Sequence, residues 1–549
     1  MSGVDLRPPS EEADDTGAGL LRSTAVMSVG TGLSRLTGFL RLSAMAYALG
    51  VASSRIADAY NVANNTPNIV YELILGGVLT SVFVPVFVEW LDRRGPEEAW
   101  EVARRVMTIA VVSLTAIAAL VIVLAPWIVH LYTVRLPAGP DSDAERAAAT
   151  FFLRWFMPQI VFYGVGAVAT GLLNAHRRFA APMFAPILNN LIVIATMVAF
   201  VVLPGPPFPT PEGITTAQRY VLAIGTTLGV VAMTAALWPA LRRIGFRFRW
   251  RWQWRSEAIR RIRQLALWVF LYVLVNQIGL VVVIVLATGS TDYATYTSAF
   301  ILFQLPHAIF AVSIMTALLP ALSSRWADRD VDEFRSMLAR GIRYTALVVL
   351  PAAAGYVVLA GPIVRLLLQH GVTDASRAAE VARVLQFFAI GLFSFSAFQL
   401  LLRAYYAMQD TRTPALVNIA AVAVNTAANI VLFHLLGVRG LALGFASAYT
   451  FGAVVLVVLI RRRLGGMEGR TILEGLGKVV VASGVTAAAA WGASHLLARV
   501  FGTATVPEQM VQVLGSVGAG LLVFVAMALL LRMEDLRQVI GLVAGRFRR

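Results

Sequence analysis

The sequence has no cysteine, which excludes disulfide bonds, thiolate metal centres and cysteine nucleophiles. Charged residues are scarce as well: they make up 14% of the 549 residues, against about 25% in a typical soluble domain. The six histidines are scattered, and no two have the i, i+4 spacing of a helical metal site. Hydrophobic residues, in contrast, reach 58%. The composition therefore predicts an all-α, polytopic membrane protein without a metal centre.

Long apolar runs predict about fourteen membrane-spanning helices, because a bilayer core about 30 Å thick needs about 20 apolar residues per helix. These runs lie near residues 24–50, 57–90, 104–133, 146–172, 181–204, 219–243, 261–287, 293–325, 337–368, 377–407, 412–435, 439–460, 473–501 and 509–532. The first 22 residues lack the basic start and short apolar core of a signal peptide, so we predict a disordered cytoplasmic tail there.

The distribution of arginine predicts the orientation of these helices, because basic loops stay in the cytoplasm. Loops after even-numbered helices, with the C-terminal tail, hold thirty arginines, and loops after odd-numbered helices hold seven. Both termini are therefore expected in the cytoplasm, and the net charge of +16 largely reflects topology. The basic run 242–263 includes Trp250, Trp252 and Trp254. We interpret it as an interfacial segment near anionic lipids and not as a nucleic-acid site.

An internal repeat divides the chain. VPVFVEWLDRR around Pro85 matches LPALSSRWADR around Pro320, and NAHRRFAAP ending at Pro182 matches YAMQDTRTP ending at Pro414. Because each repeat has six spans, the two lobes should be parallel repeats around a central cavity, which is the plan of a transporter. The predicted order is a tail (1–22), an N-lobe (23–243), a basic cytoplasmic linker (244–260), a C-lobe (261–464), two further helices (465–532) and a basic tail (533–549).

Two arginines lie deep in the first predicted helix, within SVGTGLSRLTGFLR. At 1.5 Å per residue, Arg35 lies about 16 Å and Arg41 about 25 Å from the cytoplasmic start of that helix. A charge at such depth costs at least ~2.5 kcal/mol unless it faces water or a partner. Three glycines in this stretch favour a broken or bent helix, as in transporter binding sites. We interpret the arginines as binding residues; the alternative is a structural pair between Arg41 and Asp58.

The second predicted helix carries a polar stripe. Its polar side chains recur at i, i+3, i+4, i+7 and i+11, which is one helical face: Asn61, Asn64, Asn65, Asn68 and Glu72. A kink is expected at Pro67. The stripe could line water or form hydrogen bonds between the lobes.

Amide side chains are the main polar groups of the second lobe. Asn425 and Asn429 stand at i, i+4, and Asn276 lies in the seventh helix. They could bind a cation or bond neighbouring helices, and the latter is the more common use of such groups. The sole lysine, Lys478, lies in EGLGKVVV, which is not a P-loop. No bound cofactor is therefore predicted, and a membrane potential or ion gradient is the expected energy source. Because the first lobe is positive and the second nearly neutral, an anionic substrate is expected.

Several segments carry a resemblance to a known family: SRLTGFLR (34–41), ADAYNVANNTPNIVYELILGGVLTSVFVPVF (57–87), RRFAAPMFAPILNN (177–190), QLPHAIFAVSIMTALLP (304–320) and RAYYAMQDTRTP (403–414). In combination they resemble the MurJ/MviN family of lipid II flippases, in the multidrug/oligosaccharidyl-lipid/polysaccharide exporter superfamily.

The resemblance implies transport of an undecaprenyl-diphosphate-linked peptidoglycan precursor across the bacterial cytoplasmic membrane, and contact with other cell-wall synthesis proteins would fit that role. It also implies that Arg35, Arg41 and Asp58 contribute to the site. The full set of predicted substrate-binding residues is Ser34, Arg35, Arg41, Asp58, Asn61, Asn65, Asn68 and Glu72.

The chain departs from the family pattern at several positions. Tyr71 and Glu72 stand where two basic residues are usual, and Phe300 and Ile301 stand where Asp-Arg is frequent. These changes imply a smaller diphosphate clamp and leave another polyprenyl-linked oligosaccharide open as substrate. Some relatives hold sodium between spans 7, 11 and 12. Asn425 and Asn429 resemble part of that site, but no carboxylate accompanies them, so sodium coupling stays open.

Two other functions are weighed against a flippase. A cation-coupled drug antiporter would need buried carboxylates, for which Asp58 and Glu72 are the candidates, yet the nearby arginines oppose cation binding. A membrane-bound glycosyl- or phosphotransferase would need an acidic metal-binding motif. DRDVDEF at 328–334 is the candidate run, and we interpret it as a solvated connector.

Overall fold

The computed structural model describes residues 30–50, 55–72, 87, 94–288, 292–370 and 373–536, apart from the single positions 31, 177, 179, 207, 254, 256 and 534. All regular secondary structure in these residues is helical. The all-α prediction is therefore confirmed for the described part of the chain.

The described residues form eighteen helices and one π-helical turn. In chain order they are α1 (32–49), α2 (Arg55–Tyr71), α3 (Pro96–Tyr132), α4 (Pro140–Phe156), α5 (Gln159–Ala175), α6 (Ala180–Val202), α7 (Thr216–Ala235), α8 (Trp238–Arg243), α9 (Glu257–Thr288), α10 (Tyr293–Pro306), a π-helical turn (His307–Ala311), α11 (Val312–Ala327), α12 (Val331–Leu368), α13 (Ala375–Ile390), α14 (Leu392–Ala407), α15 (Arg412–Leu436), α16 (Val438–Arg463), α17 (Gly469–Phe501) and α18 (Val506–Leu530).

Ten helical segments of the described chain are long and apolar enough to cross a bilayer, or eleven if α13 and α14 form one bent span. The polytopic fold is thus confirmed. The first and second predicted spans lie partly on residues outside the described ranges, so the total of fourteen stays a prediction.

Breaks within predicted spans have local causes. The span predicted at 146–172 is interrupted at Met157 and Pro158, between α4 and α5. The span predicted at 377–407 bends by 47° at Gly391. A Cβ atom at Gly391 would lie 2.6 Å from Cα of Ala446, so only glycine allows this approach to α16. The π-helical turn after Pro306 follows from the missing N–H of proline, which disrupts the helical hydrogen-bond pattern.

The described chain forms two compact units. Unit 1 comprises Met1–Ala48, Ala59–Leu131 and Gly139–Leu274, and unit 2 comprises Leu49–Asp58, Tyr132–Ala138 and Val275–Arg549. In unit 1, α7 packs against α5 and α6. In unit 2, α15 pairs with α16, and the antiparallel pair of α17 and α18 packs on α12. The boundaries predicted for the lobes and the linker stay predictions.

Candidate functional site

The first helix presents the two arginines in different directions. Residues 32–49 are helical throughout, so the break expected from the three glycines does not occur after residue 32. Gly38 lies within this helix and faces Asn190 of α6. A Cβ atom at Gly38 would lie 3.5 Å from Nδ2 of Asn190, which is an ordinary packing distance. Arg35 is exposed and Arg41 is half-buried. Six residues along a regular helix correspond to about 240°, which explains their different environments.

Asn190 fixes α1 to α6 inside unit 1. Its Nδ2 donates to the carbonyl oxygen of Ser34 (3.3 Å) and to Oγ1 of Thr37 (3.1 Å). The Asn190 side chain is 8% exposed, so these bonds are shielded from solvent. Arg35 lies between Ser34 and Thr37 in the sequence, so the two bonds from Asn190 restrain the turn of α1 that carries Arg35. Sequence reasoning missed this role of Asn190, although the Asn-Asn pair of ILNN offered a signal.

Arg41 lies among the tyrosines of unit 1. Its guanidinium group interacts electrostatically with the hydroxyl groups of Tyr60 and Tyr163. The Tyr60 hydroxyl is 2.7 Å from Oγ1 of Thr226 on α7, and the rings of Tyr163 and Tyr71 are 5.1 Å apart. Residues of α1, α2 and α5 therefore meet around Arg41, and neither tyrosine was among the predicted site residues.

The polar stripe of α2 is half-buried, as one helical face should be. Asn61, Asn65 and Asn68 are partly exposed, whereas Tyr60 on another face is fully buried. Nδ2 of Asn68 donates within the helix to the carbonyl oxygen of Asn64 (3.2 Å). The buried Nδ2 of Asn65 has no acceptor among the described residues. The stripe thus keeps hydrogen-bonding capacity that a polar ligand or water could use.

Pro67 lies within α2, which runs from Arg55 to Tyr71, and the kink expected there stays a prediction. Glu72 comes just after the end of α2 and is exposed. Its carboxylate is therefore not placed like the buried carboxylate of a cation site.

Asp58 is fully buried, and it belongs to unit 2. The backbone N–H of Ala294, in the first turn of α10, donates to Oδ1 of Asp58 (2.7 Å). This is the geometry of a carboxylate that stabilises the start of a helix, where unpaired N–H groups favour negative charge. The contact favours a structural role for Asp58 over direct substrate binding.

The amides predicted as a weak ion site form a hydrogen bond with each other. Nδ2 of Asn429 donates to Oδ1 of Asn425 (2.9 Å), and the buried Oδ1 of Asn429 faces Gly444 of α16. In the described chain this oxygen has no hydrogen-bond donor. Asn276 is half-buried on α9. No group of three or more His, Asp or Glu side chains in the described residues could hold a metal ion. The hydrogen bond between the two amides lies within α15, whereas Oδ1 of Asn429 contacts α16. The ion site stays a prediction.

In the second lobe, Phe300 lies in an aromatic cluster at a position where the resemblance implies a charged residue. Phe300 stacks near Phe303 (5.9 Å between ring centroids) and packs against Phe388 and Phe445, both at 5.5 Å. Ile301 is 37% exposed. Several arginines of unit 2 are paired instead with carboxylates, for example Arg343 with Asp535, Arg439 and Arg383 with Glu380, and Arg463 with Asp410.

Comparisons with known proteins agree with this architecture. The family model described as lipid II flippase MurJ matches residues 45–512. The probable lipid II flippase MurJ of Rhizobium meliloti (strain 1021) is 27% identical over 515 residues, which are 93% of this chain and 93% of the relative. The lipid II flippase MurJ of Burkholderia cenocepacia is 28% identical over 453 residues, covering 81% of this chain and 84% of the relative.

Solved structures show the same fold. A lipid II flippase MurJ in an inward closed conformation matches with a TM-score of 0.74 at 20% identity, over 92% of this chain and 99% of that chain. An inward-facing multidrug resistance transporter of the MATE family, in the MOP superfamily, matches with a TM-score of 0.63 at 15% identity, over 78% of this chain and 94% of that chain.

Proposed function

Because the chain belongs to the MurJ family of lipid II flippases, we propose that it moves lipid II across the bacterial cytoplasmic membrane by alternating access. It is a multi-pass membrane transporter and not an enzyme. No covalent bond of the substrate changes, so the residues of the site need to bind and release an anionic headgroup.

The arginines of α1 are the groups best suited to that headgroup. A diphosphate concentrates negative oxygen atoms, and a guanidinium group can engage two of them at once. In the described chain, no carboxylate forms an ion pair with Arg35 or Arg41. Within the described residues, no carboxylate would therefore compete with a ligand for these two charges. This observation carries the proposal, and the amides of α2 would then bond to the polar sugar or peptide part.

A second substrate of the same class deserves a test. Tyr71 and Glu72 offer no positive charge at the end of α2, so Arg35 and Arg41 would hold the diphosphate with little help. Another polyprenyl-linked oligosaccharide could satisfy the same two arginines. The drug antiporter is less compatible, because Asp58 bonds to a backbone amide and Glu72 is exposed.

We further propose that both termini lie in the cytoplasm and that the membrane potential drives the return step. An unloaded site with two uncompensated arginines would carry positive charge back toward a negative interior. The potential is worth about 2.3 kcal/mol per charge for each 100 mV. This driving force needs no sodium ion at Asn425 and Asn429.

The basic segment after α8 supports an interaction with anionic lipids. Its backbone is tied to α3, because the N–H of Arg251 donates to Oγ1 of Thr108 (3.0 Å) and Nε of Arg104 donates to the carbonyl oxygen of Arg247 (3.0 Å). Trp250 is 63% exposed. An exposed indole beside arginines suits the headgroup region of a membrane.

Depletion of the protein followed by analysis of lipid-linked precursors tests the function. We expect lipid II to accumulate in the inner leaflet, and accumulation of a different polyprenyl-linked sugar would favour the second substrate. Arg35→Ala and Arg41→Ala should each fail to restore growth, since a lost charge-assisted hydrogen bond costs about 1.5 to 3 kcal/mol.

Arg462→Ala is the matched control, because Arg462 is an exposed arginine at the end of α16. Normal growth of the double variant Arg35→Ala/Arg41→Ala, at parental expression, would contradict the assignment of the site.

A further inference from the structure

Unit 2 contains a cavity that the flippase site does not use. Its volume is about 480 Å³, and it lies between the end of α12, the first turns of α13 and the connection from α17 to α18. The polar residues that line it are Arg365, Gln369, His370, Thr503 and Gln509. The predicted topology places these helix ends on the outer side of the membrane, where lipid headgroups lie.

The carboxylates beside the cavity accept hydrogen bonds from backbone N–H groups at the starts of helices. Oδ1 of Asp374 accepts from the backbone N–H of Arg377 (2.8 Å) and caps α13. Oε2 of Glu508 accepts from the backbone N–H groups of Ala504 (2.7 Å) and Thr505 (3.2 Å) and caps α18. Neither carboxylate lines the cavity, and its wall contains no acidic residue.

Gln509 lines the cavity, and its side chain carries an acceptor that no donor of the described residues uses. The residue is 7% exposed, and its Nε2 donates to the carbonyl oxygen of Thr503 (3.1 Å). Its buried Oε1 has no donor among the described residues. A buried acceptor without a donor is unfavourable, so a ligand that supplies an N–H or O–H group would be stabilised there.

Arg365 supplies a positively charged hydrogen-bond donor to the same cavity. It lies in the last turn of α12 and is half-buried, and no carboxylate of the described chain pairs with it. His370 is partly committed, because its Nε2 is 2.8 Å from the carbonyl oxygen of Leu366. The cavity therefore combines a cation that lacks an anion with an acceptor that lacks a donor.

We propose that this cavity binds the headgroup of a phospholipid of the outer leaflet. Arg365 would hold the phosphodiester, and Oε1 of Gln509 would accept from an ammonium or hydroxyl group on the same headgroup. A water molecule takes up about 30 Å³, so a cavity of about 480 Å³ has room for a ligand much larger than a few water molecules, as a complete headgroup is. The lipid would join α12 and α13 to the α17–α18 pair.

The lipid site rests on the proposed orientation of these helix ends and not on the substrate of the flippase, so loss of lipid binding and loss of flipping are separate outcomes.

Native mass spectrometry and thermal unfolding of the full-length protein in detergent test the proposal. Phosphatidylethanolamine and phosphatidylglycerol, which both carry a donor, should bind and raise the Tm, because a ligand that binds the folded state stabilises it. Phosphatidylcholine, which has no N–H or O–H donor, should bind several-fold more weakly. Equal binding of phosphatidylcholine would overturn the role of Gln509. An equal rise in Tm with inorganic phosphate would overturn the lipid assignment.

Variants separate the cavity from ordinary contact with annular lipid. Arg365→Gln should weaken binding at least tenfold, as expected for a lost charge-assisted bond, while Arg365→Lys should keep most of it. Gln509→Leu should remove the preference for phosphatidylethanolamine over phosphatidylcholine. Arg499→Gln, which removes an exposed charge near the end of α17, is the control and should change nothing. Unchanged lipid binding in a monodisperse Arg365→Gln protein would refute the site.

Discussion

Replacement of Asn190 by leucine tests how firmly the first helix must be held. Leucine keeps the branching of asparagine at Cγ, with larger methyl groups, but removes the bonds from Nδ2 to Ser34 and Thr37. The Thr37 hydroxyl would stay satisfied, because it also donates to the carbonyl oxygens of Leu33 (2.9 Å) and Ser34 (3.1 Å). Asn190→Leu therefore leaves no unpaired buried donor at Thr37, and its cost should be moderate.

The expected cost follows from two neutral hydrogen bonds inside a membrane protein. Side-chain bonds between membrane helices average about 0.6 kcal/mol, so the pair should contribute about 1 kcal/mol to the docking of α1 on α6. A change of that size alters a two-state population about fivefold, since about 1.4 kcal/mol corresponds to a factor of ten. Transport in reconstituted vesicles should fall several-fold without being abolished.

A double-mutant cycle with Thr37→Val isolates the bond between the two side chains. The double variant should be impaired less than the sum of the single variants. Leu191→Ala, at an exposed position of the same helix, serves as the control and should leave transport unchanged. Full activity of Asn190→Leu would refute the anchoring role. Complete inactivity, equal to that of Arg35→Ala, would mean that Asn190 contacts the substrate itself.

Four further predictions concern voltage, topology, ions and pH. Arg35→Gln should weaken the voltage dependence of transport in vesicles clamped with potassium and valinomycin, and a parent protein indifferent to the imposed potential would rule out this coupling. A cysteine at Arg247 should react only with reagent supplied from the cytoplasm and one at Gly139 only from outside; the reverse pattern would overturn the topology. Asn429→Leu should leave transport independent of sodium, as in the parent, whereas a sodium requirement lost in this variant would restore the ion site. The backbone N–H of Arg377 lowers the pKa of the Asp374 carboxyl, so this cap stabilises the protein above the unfolded pKa of about 3.9 and the benefit is lost as pH falls through the lower folded value. Asp374→Ala should remove that part of the acid dependence of Tm, and identical acid profiles would contradict it.

The class of protein and the position of most helices follow from the pattern of apolar residues. Apolar runs long enough to cross a bilayer can form only a few structures, because every backbone N–H and C=O group must be paired within the lipid. The run at 412–435 became α15 and the run at 439–460 became α16, each with bounds close to the prediction. The arginine pair of α1 was also visible, since a charge at that depth is costly unless it has a use.

The positions of local bends could be predicted only in part from the sequence. The glycines before and within α1 suggested a break that the helix at 32–49 does not have, whereas the single Gly391 permits a 47° bend. Glycine allows a bend but does not require one. The outcome depends on what approaches the helix, which at Gly391 is the backbone of Ala446.

The partners of the polar side chains cannot be predicted from the local sequence, because they come from distant parts of the chain. Asp58 meets the N–H of Ala294, 236 residues away, and Asn190 meets α1 across 156 and 153 residues. A buried amide or carboxylate predicts that the side chain needs a hydrogen-bond partner. The local sequence does not show which distant residue provides that partner. Gln509 is a further example. That its Oε1 lacks a donor, and that the residue lines a cavity between three helix ends, can be recognised only in the folded protein.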